Sequence, residues 1–531
     1  MSLAAHPFDR ECLNQALSSK RFPEAYRASK GRIDYLEDHL THLGVASLLI
    51  EEDYIDGEYL EDFASYYARC HVEYDRHCKR IHFFAKPKSL DAVHASGVLD
   101  TLLLTQDDQT LLAYQSAYLG FVVARPLPET IIGRTVLKPW PESEGAKVRH
   151  FRLLQGYSAH LMGLRLPIAS SLAFQEQDSA CGACATVALW SALQLASRLF
   201  GTACPRPATI TQLASPLHAH VLGRTLPSQG LSILQMCNAI RATGLEPEVF
   251  RLRPERGVAP TAEWLSLIQA YVSASIPVIL VTHVRGVDQL HAVTVCGLGY
   301  DTNNPKQVFE SGDPPPISLT GSYLRAVYAH DDQRGPYCHY YPTDAICSTG
   351  ESGFLREYSG KVPESRTQRV LEPLFAIVPV YGKVRINFLD IQKSVTTLSG
   401  LLHQLLGTDV EHFEWDVRLS LSNTYKANLR ENSHQHPEYK SLLLSPMPRF
   451  VWVTKLLIRN QPVWEVIWDA TDTPRSVPIV VSIWHSSQML EKLSQRLDHR
   501  VKGGLAVDTQ KMSQALAKWF LEEIQPSNQS S

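Results

Sequence analysis

No apolar run in the chain reaches the roughly 20 residues that a membrane-crossing helix needs. The opening Met1-Ser-Leu-Ala-Ala-His-Pro-Phe-Asp-Arg10 also lacks a basic segment followed by an apolar one, so no secretory signal is expected. Strong charge of either sign is missing too: 51 Lys and Arg against 54 Asp and Glu leave a net charge of −3. That balance offers no general electrostatic footprint for nucleic acid. Cysteine is sparse and scattered, 10 in 531 residues with none after Cys347. This excludes a small disulfide scaffold, and most of the thiols are expected to be free. Internal repeats, long low-complexity tracts and glycine-rich phosphate loops are also missing. The expectation is a cytosolic protein that engages neither nucleic acid nor membrane.

What is present is a globular composition, 44% apolar and 20% charged, in a chain long enough for about three domains of α+β class. Residues 1–165 read as an α+β leader. It opens with acidic stretches of helical appearance, such as Ile50-Glu-Glu-Asp-Tyr-Ile-Asp-Gly57, and continues with strand-like Tyr118–Pro126 and Phe151–Tyr157. Residues 371–531 alternate strands (Leu374–Tyr381, Phe450–Leu457, Val477–Trp484) with helices and read as a second α+β unit suited to binding a substrate or a protein partner. The polar tail Gln525–Ser531 reads as a frayed end.

Between these flanks, residues 166–370 have a different texture. A polar turn, Gln175-Glu-Gln-Asp-Ser179, leads to a helix expected from Cys184, with Leu189, Leu193, Ala196 and Phe200 recurring at helical steps and Gly201 at its stop. A proline-punctuated loop, 205–230, precedes a second amphipathic helix, Leu231–Gly244. Pro277–His283 and His291–Asp301 then predict a β-hairpin, 303–321 an inserted loop, and Tyr323–Asp332 a strand closed by a turn at Gln333–Tyr337.

A thiol becomes nucleophilic when its thiolate is stabilised, and a helix start supplies partial positive charge with unpaired N–H groups. Cys184 stands at such a start. A base and a group that orients it are also needed. His291, opening a strand, fits the first role, and Asp331, ending the next strand, fits the second.

The run Gln175–Trp190, the hairpin Ile276–Val281 with His291–Asp301, and the terminal His330-Asp-Asp-Gln-Arg-Gly-Pro-Tyr337 together resemble papain-like cysteine peptidases of the bacteriocin-processing, double-glycine-leader type. The likeness covers roughly residues 166–345. It implies a catalytic helix packed on an antiparallel sheet, hydrolysis of a peptide or isopeptide bond in a protein or peptide substrate, no cofactor or metal, and a glutamine before the cysteine that donates to the oxyanion. Two alignments fit. One pairs Gln175 with Cys181, whose Cys-Gly resembles the family's start. The other pairs Gln177 with Cys184, where the helical pattern begins, and is the one favoured. Asp331 and Asp332 pose a similar choice. Alternation along a strand sets Asp331 with Ala329 and Val327, and Asp332 with His330 and Tyr328.

Rival readings attach to the same residues. Taken singly, Cys184 and His291 would be ordinary core residues, and their order along the chain is what favours catalysis. Cys181-Gly-Ala-Cys184 has the spacing of half a zinc site that Cys338 and Cys347 could complete, but a second close pair is missing. The same spacing in a thioredoxin-like site would need a βαβ context, and hairpins follow instead. His283, His218 and His220 are alternative bases with structural explanations. Trp468-Asp-Ala-Thr-Asp-Thr473 reads as an aspartate-capped turn, with a divalent cation as the rival. The machinery would also serve a transglutaminase or acyltransferase, and an inactive fold could work as a binding scaffold through its flanks.

Overall fold

The computed structural model describes residues 2–87, 102, 107–144, 147–178, 180–215, 226, 228, 230–253, 261–287, 289–301, 317–343, 353–357, 369–407, 413–431, 439–473, 477–502 and 513–525. His218, His220, Cys347 and the tail beyond Gln525 lie outside this set. The chain is a mixture of helices and strands, an α+β protein. It divides into two compact units, one of residues 1–258, 275–303 and 325–380, the other of 259–274, 304–324 and 381–531. The sequence boundary at 165 falls inside the first unit.

The first unit contains a five-stranded antiparallel sheet in the order β1 (Leu3–Pro7), β2 (Val45–Tyr54), β3 (Cys78–Ala85), β4 (Tyr118–Ala124) and β5 (Ile132–Leu137). Strand β2 corrects the helical expectation over Ile50–Gly57. Leu48, Leu49 and Ile50 are buried, and Glu51 is accommodated because Arg80 Nε binds its carboxylate at 2.6 Å. The apolar run therefore decides the local structure, and burial of the acid is tolerated through its partner. The helix in this region starts only at Gly57, where the Asp56 side chain accepts from the N–H groups of Glu58 and Tyr59. Phe151–Leu154 is likewise outside any strand.

The next strands are β6 (Ser143–Glu144), β7 (Lys147–His150), the hairpin β8 (Gln155–Leu161) and β9 (Leu164–Ser171), then β10 (Glu246–Arg251), β11 (Val278–Val284) and β12 (Leu290–Asp301). After β13 (Ser318–Leu319), which belongs to the second unit, come β14 (Leu324–Asp331), β15 (Gly335–Thr343), β16 (Phe354–Glu357) and β17 (Val370–Val380). The expected β11–β12 hairpin is present, with Val278 opposite Val295 and His283 opposite Leu290. Less expected is that β11 also pairs with β17. The pairings β11–β12–β14–β15–β16–β17–β11 therefore close on themselves. Closure leaves no free edge among those strands.

The helix Cys184–Phe200 lies against this sheet, and the Thr294 hydroxyl of β12 donates to the Ala188 carbonyl at 2.7 Å. Leu189, Leu193, Ala196 and Phe200 are all buried, as their spacing predicts. Gly201 ends the helix in the left-handed region at φ 72° and its N–H donates to the Ser197 carbonyl. A second helix, Ile233–Ala242, begins at a capping box between Ser232 and Gln235.

The second unit holds a five-stranded sheet of β13, β18 (Phe413–Leu421), β19 (Phe450–Ile458), β20 (Gln461–Asp469) and β21 (Ile479–Trp484), with β13 parallel to β18. Trp415, Trp452, Trp464 and Trp468 are fully buried in it. The inserted segment 303–321 enters this unit through β13. The Asp469 side chain accepts from the Thr471 N–H and hydroxyl at 2.7 Å each, so the 468–473 stretch is the aspartate-capped turn. No helix among the described residues is long and apolar enough to cross a membrane.

Candidate active site

The polar segment before the Cys184 helix is laid along an edge of the first sheet. Thr135 and Phe174 exchange backbone hydrogen bonds of 2.7 and 2.9 Å, and the Glu176 N–H donates to the Ile132 carbonyl at 3.0 Å. The Glu176 side chain is wholly buried. Its carboxylate accepts from the Ile132 N–H at 2.9 Å and pairs with Arg32. Burial still pushes this acid up to about 7, against the pull of Arg32 and Arg125. Arg125 Nη2 donates to the carbonyls of Glu176 at 3.0 Å and Gln177 at 3.5 Å. Asp178 completes the scaffold: its Oδ1 gathers the N–H groups of Ala180, Cys181 and Gly182, while its own N–H donates to the Gly182 carbonyl.

This turn delivers Cys184 as the first residue of its helix. No side chain caps that helix start, because the residue before it is Ala183. The first N–H groups of the helix thus have no intrahelical acceptor and no capping oxygen, a setting that favours negative charge. Cys184 is half-buried. Cys181 is completely buried, its Sγ donates to the Asp62 carbonyl at 3.7 Å, and burial together with Asp178 and Asp62 pushes its thiol far up. Of the two thiols, Cys184 is the one partly open to solvent and beside the histidine. Gln175 is buried and Gln177 half-buried in the same turn.

His291 opens β12 and is 1% exposed. Its Nε2 lies 2.9 Å from Asp331 Oδ1. Its Nδ1 is buried and closes no hydrogen bond among the described residues. Burial alone would lower the imidazole pKa, but the Asp331 carboxylate overrides it, and with Cys184 and Asp332 adding in the same direction the ring is raised to about 10. Asp331 itself is fully buried and richly bonded. Tyr340 Oη donates to its Oδ2 at 2.5 Å, Arg369 Nη1 at 3.0 Å, and the Gln333 N–H to its Oδ1 at 3.0 Å. Burial would raise this carboxyl, yet His291 and Arg369 hold it well below the usual range. An ionised carboxylate only accepts, so Nε2 keeps its proton and Nδ1 is the nitrogen that gains or loses one, holding it at neutral pH because the ring is raised to about 10.

The strand carrying the acid is fixed from two sides. The His330 Nε2–H donates to the Leu172 carbonyl at 3.0 Å, while its Nδ1 accepts from the Tyr337 N–H at 3.1 Å. In this setting burial lowers the His330 pKa to about 3, so the ring is neutral. At the turn, a Cβ on Gly335 would come within 2.3 Å of the Tyr35 ring, and the Tyr35 hydroxyl donates to the Pro336 carbonyl. The β14–β15 register shifts between Ala329 and Asp331. This irregularity breaks strict alternation, so Asp331 and Asp332 are not assigned to opposite faces. Asp332 Oδ1 stands 3.7 Å from the same His291 Nε2.

His283, a rival base, faces Glu372 at 3.8 Å from its place on β11. Among the described residues, His291, Asp331 and Asp332 form one trio with ligand atoms close enough for a metal ion. Arg369 already occupies Asp331 and opposes a cation there. Arg125, Arg369 and Tyr340 escape sequence reasoning because nothing local marks them. Asp178 leaves a faint signal as an aspartate opening a turn rich in small residues. No protein-family model and no curated protein matches the chain.

Proposed function

We propose that the chain is a papain-like cysteine hydrolase that cleaves a peptide or isopeptide bond. The observation that carries this reading is the constellation of Cys184 at an uncapped helix start, His291 with a free Nδ1, and Asp331 bonded to Nε2 at 2.9 Å. His291 Nδ1 takes the Cys184 proton, and the thiolate forms a C–S bond to the substrate carbonyl carbon. The oxyanion is met by the Cys184 N–H and by a side-chain donor from Gln177, with Gln175 as its alternate. The intermediate collapses with cleavage of the C–N bond, and His291 returns the proton to the departing amine. A water then gives its proton to His291 and attacks the thioester, releasing the acid and the thiol. Asp331 holds the ring throughout, and Arg369 and Tyr340 hold Asp331.

The test is alkylation of the full-length chain by iodoacetamide at neutral pH, with each cysteine followed by peptide mass spectrometry. Cys184 is expected to react at least about tenfold faster than a free thiol, and this fast phase should vanish in Cys184→Ala and persist in Cys181→Ala. Fast modification that survives Cys184→Ala and disappears in Cys181→Ala would move the nucleophile. Absence of any fast thiol would end the hydrolase reading.

A further inference from the structure

Asp332 has no place in the mechanism above, yet it is only 3% exposed and neither carboxylate oxygen has a hydrogen-bond partner among the described residues. Burying a carboxyl without partners is costly, and ionising it costs far more, so a fold keeps such a group only where a nearby charge compensates. That charge is available 3.7 Å away at His291 Nε2. The titratable groups that act on Asp332 are His291 on β12, Asp331 beside it on β14, Arg369 at the head of β17 and Glu176 in the turn before the Cys184 helix. Two are cationic or become so, and two are acids. Asp331 is saturated by four donors, whereas Asp332 receives no donor from another described residue and answers mainly to the charges around it.

We propose that His291 answers to two acids rather than one: Asp331 orients the imidazole through its hydrogen bond, and Asp332, unpaired beside it, is a second positioning acid whose negative charge favours the protonated ring and thereby the Cys184 thiolate. This rests on the reading of Cys184 and His291 as a nucleophile and its base. No bond is made or broken at Asp332. It gives up its proton to solvent when it ionises, and the resulting charge holds the proton that Cys184 and His291 share on the imidazole. Burial pushes Asp332 up to about 7, against the pull of His291 and with Asp331 adding to the rise. The charge is therefore absent in mild acid and present in mild alkali.

The experiment is the rate of Cys184 alkylation by iodoacetamide from pH 5 to 9, in the full-length chain and in Asp332→Asn. The amide matches the neutral acid in shape and charge, so the two rates should coincide at pH 5. At pH 8 the variant should be about tenfold slower, the effect of roughly one pKa unit on the thiol–imidazole pair. Profiles that superimpose throughout would overturn the proposal. A second measurement, independent of Cys184 reactivity, is the titration of the ¹⁵N-labelled His291 ring, assigned by its loss in His291→Gln. The wild type should show a shift with a midpoint near pH 7 that Asp332→Asn lacks. If Asp332→Asn does not fold, the wild-type titration decides alone, and absence of that step overturns the proposal. Slow alkylation of Cys184 at every pH would instead sink the hydrolase reading, with the ring titration still deciding whether Asp332 acts on His291.

Discussion

His291 Nε2 and Asp331 Oδ1 lie 2.9 Å apart with both side chains wholly removed from solvent. A buried pair of this kind is costly to desolvate and costlier to break, because removing one partner strands the other's charge. Asp331 also neutralises Arg369, so the acid anchors two cationic groups at once. Asp331→Ala should therefore destabilise the first unit by about 3–5 kcal/mol, read as a lower urea midpoint. Asp331→Asn keeps the shape but removes the charge that keeps the Nε2–H tautomer in place. It should fold and alkylate at Cys184 at least about a hundredfold more slowly. An Asn variant with an unchanged rate would remove Asp331 from the site.

Tyr340 offers a milder test of the same network. Its hydroxyl donates to Asp331 Oδ2 in a fully buried setting. Tyr340→Phe removes that donor without leaving a large cavity and without stranding a charge. The expected cost is about 1–3 kcal/mol of stability, together with a rise in the Asp331 pKa, because the carboxylate loses a donor that holds it down. If the variant's denaturation midpoint and alkylation profile both match the wild type, the hydroxyl is not part of the support of Asp331.

Arg125 tests the other side of the site. It sits buried beneath the turn and donates to two successive carbonyls ahead of the Cys184 helix. Arg125→Met keeps the apolar stem and removes the donors. Two carbonyls are then left without their buried donor beside two acids, Asp178 and Asp62, that lose a counter-charge. A destabilisation of about 3 kcal/mol or more is expected, with Cys184 alkylation slowed even at temperatures where the protein remains folded. Loss of stability with an unaltered rate in the folded state would confine Arg125 to a purely structural role.

The helix that presents Cys184 and the hairpin that presents His291 were legible because each is written in local periodicity: apolar steps of three and four, then two short apolar runs across a polar turn. The choice between Asp331 and Asp332 was not, because it assumed unbroken alternation, and the register shift after Ala329 suspends it. Strand β2 is hidden in the sequence for a related reason. The acids at 51–53 look solvated in isolation, and only Arg80 and His82, some thirty positions later, make the burial of Glu51 tolerable. Arg125 and Arg369 act across separations of 51 and 38 residues. The β11–β17 pairing that closes the sheet is longer in range still. Such contacts are products of topology and carry no local mark.

The response of stability to pH marks His291 by the width of its window. Its folded pKa, raised to about 10, exceeds the ordinary value of 6.5. A group raised in this way binds its proton more tightly when folded, so its contribution is complete below pH 6.5 and is lost as the pH climbs toward 10. Buried thiols and phenols such as Cys181 and Tyr337 also have raised pKa values, but their penalty begins only when the unfolded thiols ionise, near pH 8.5. The interval from pH 6.5 to 8.5 therefore carries the His291 loss together with that of Asp62, whose buried carboxyl is also raised well above its ordinary value, while Glu58, Glu176 and Asp332, each raised to about 7, act only at its lower end. Melting temperatures of the wild type should fall by several degrees across that interval. In His291→Gln, which has no ring proton to lose, the fall across that interval should be clearly shallower, while both proteins decline together above pH 9. Parallel curves from pH 6.5 to 8.5 would mean that the ring is neutral in the folded state, and Asp331 would then be no more than an orienting acceptor for an uncharged imidazole.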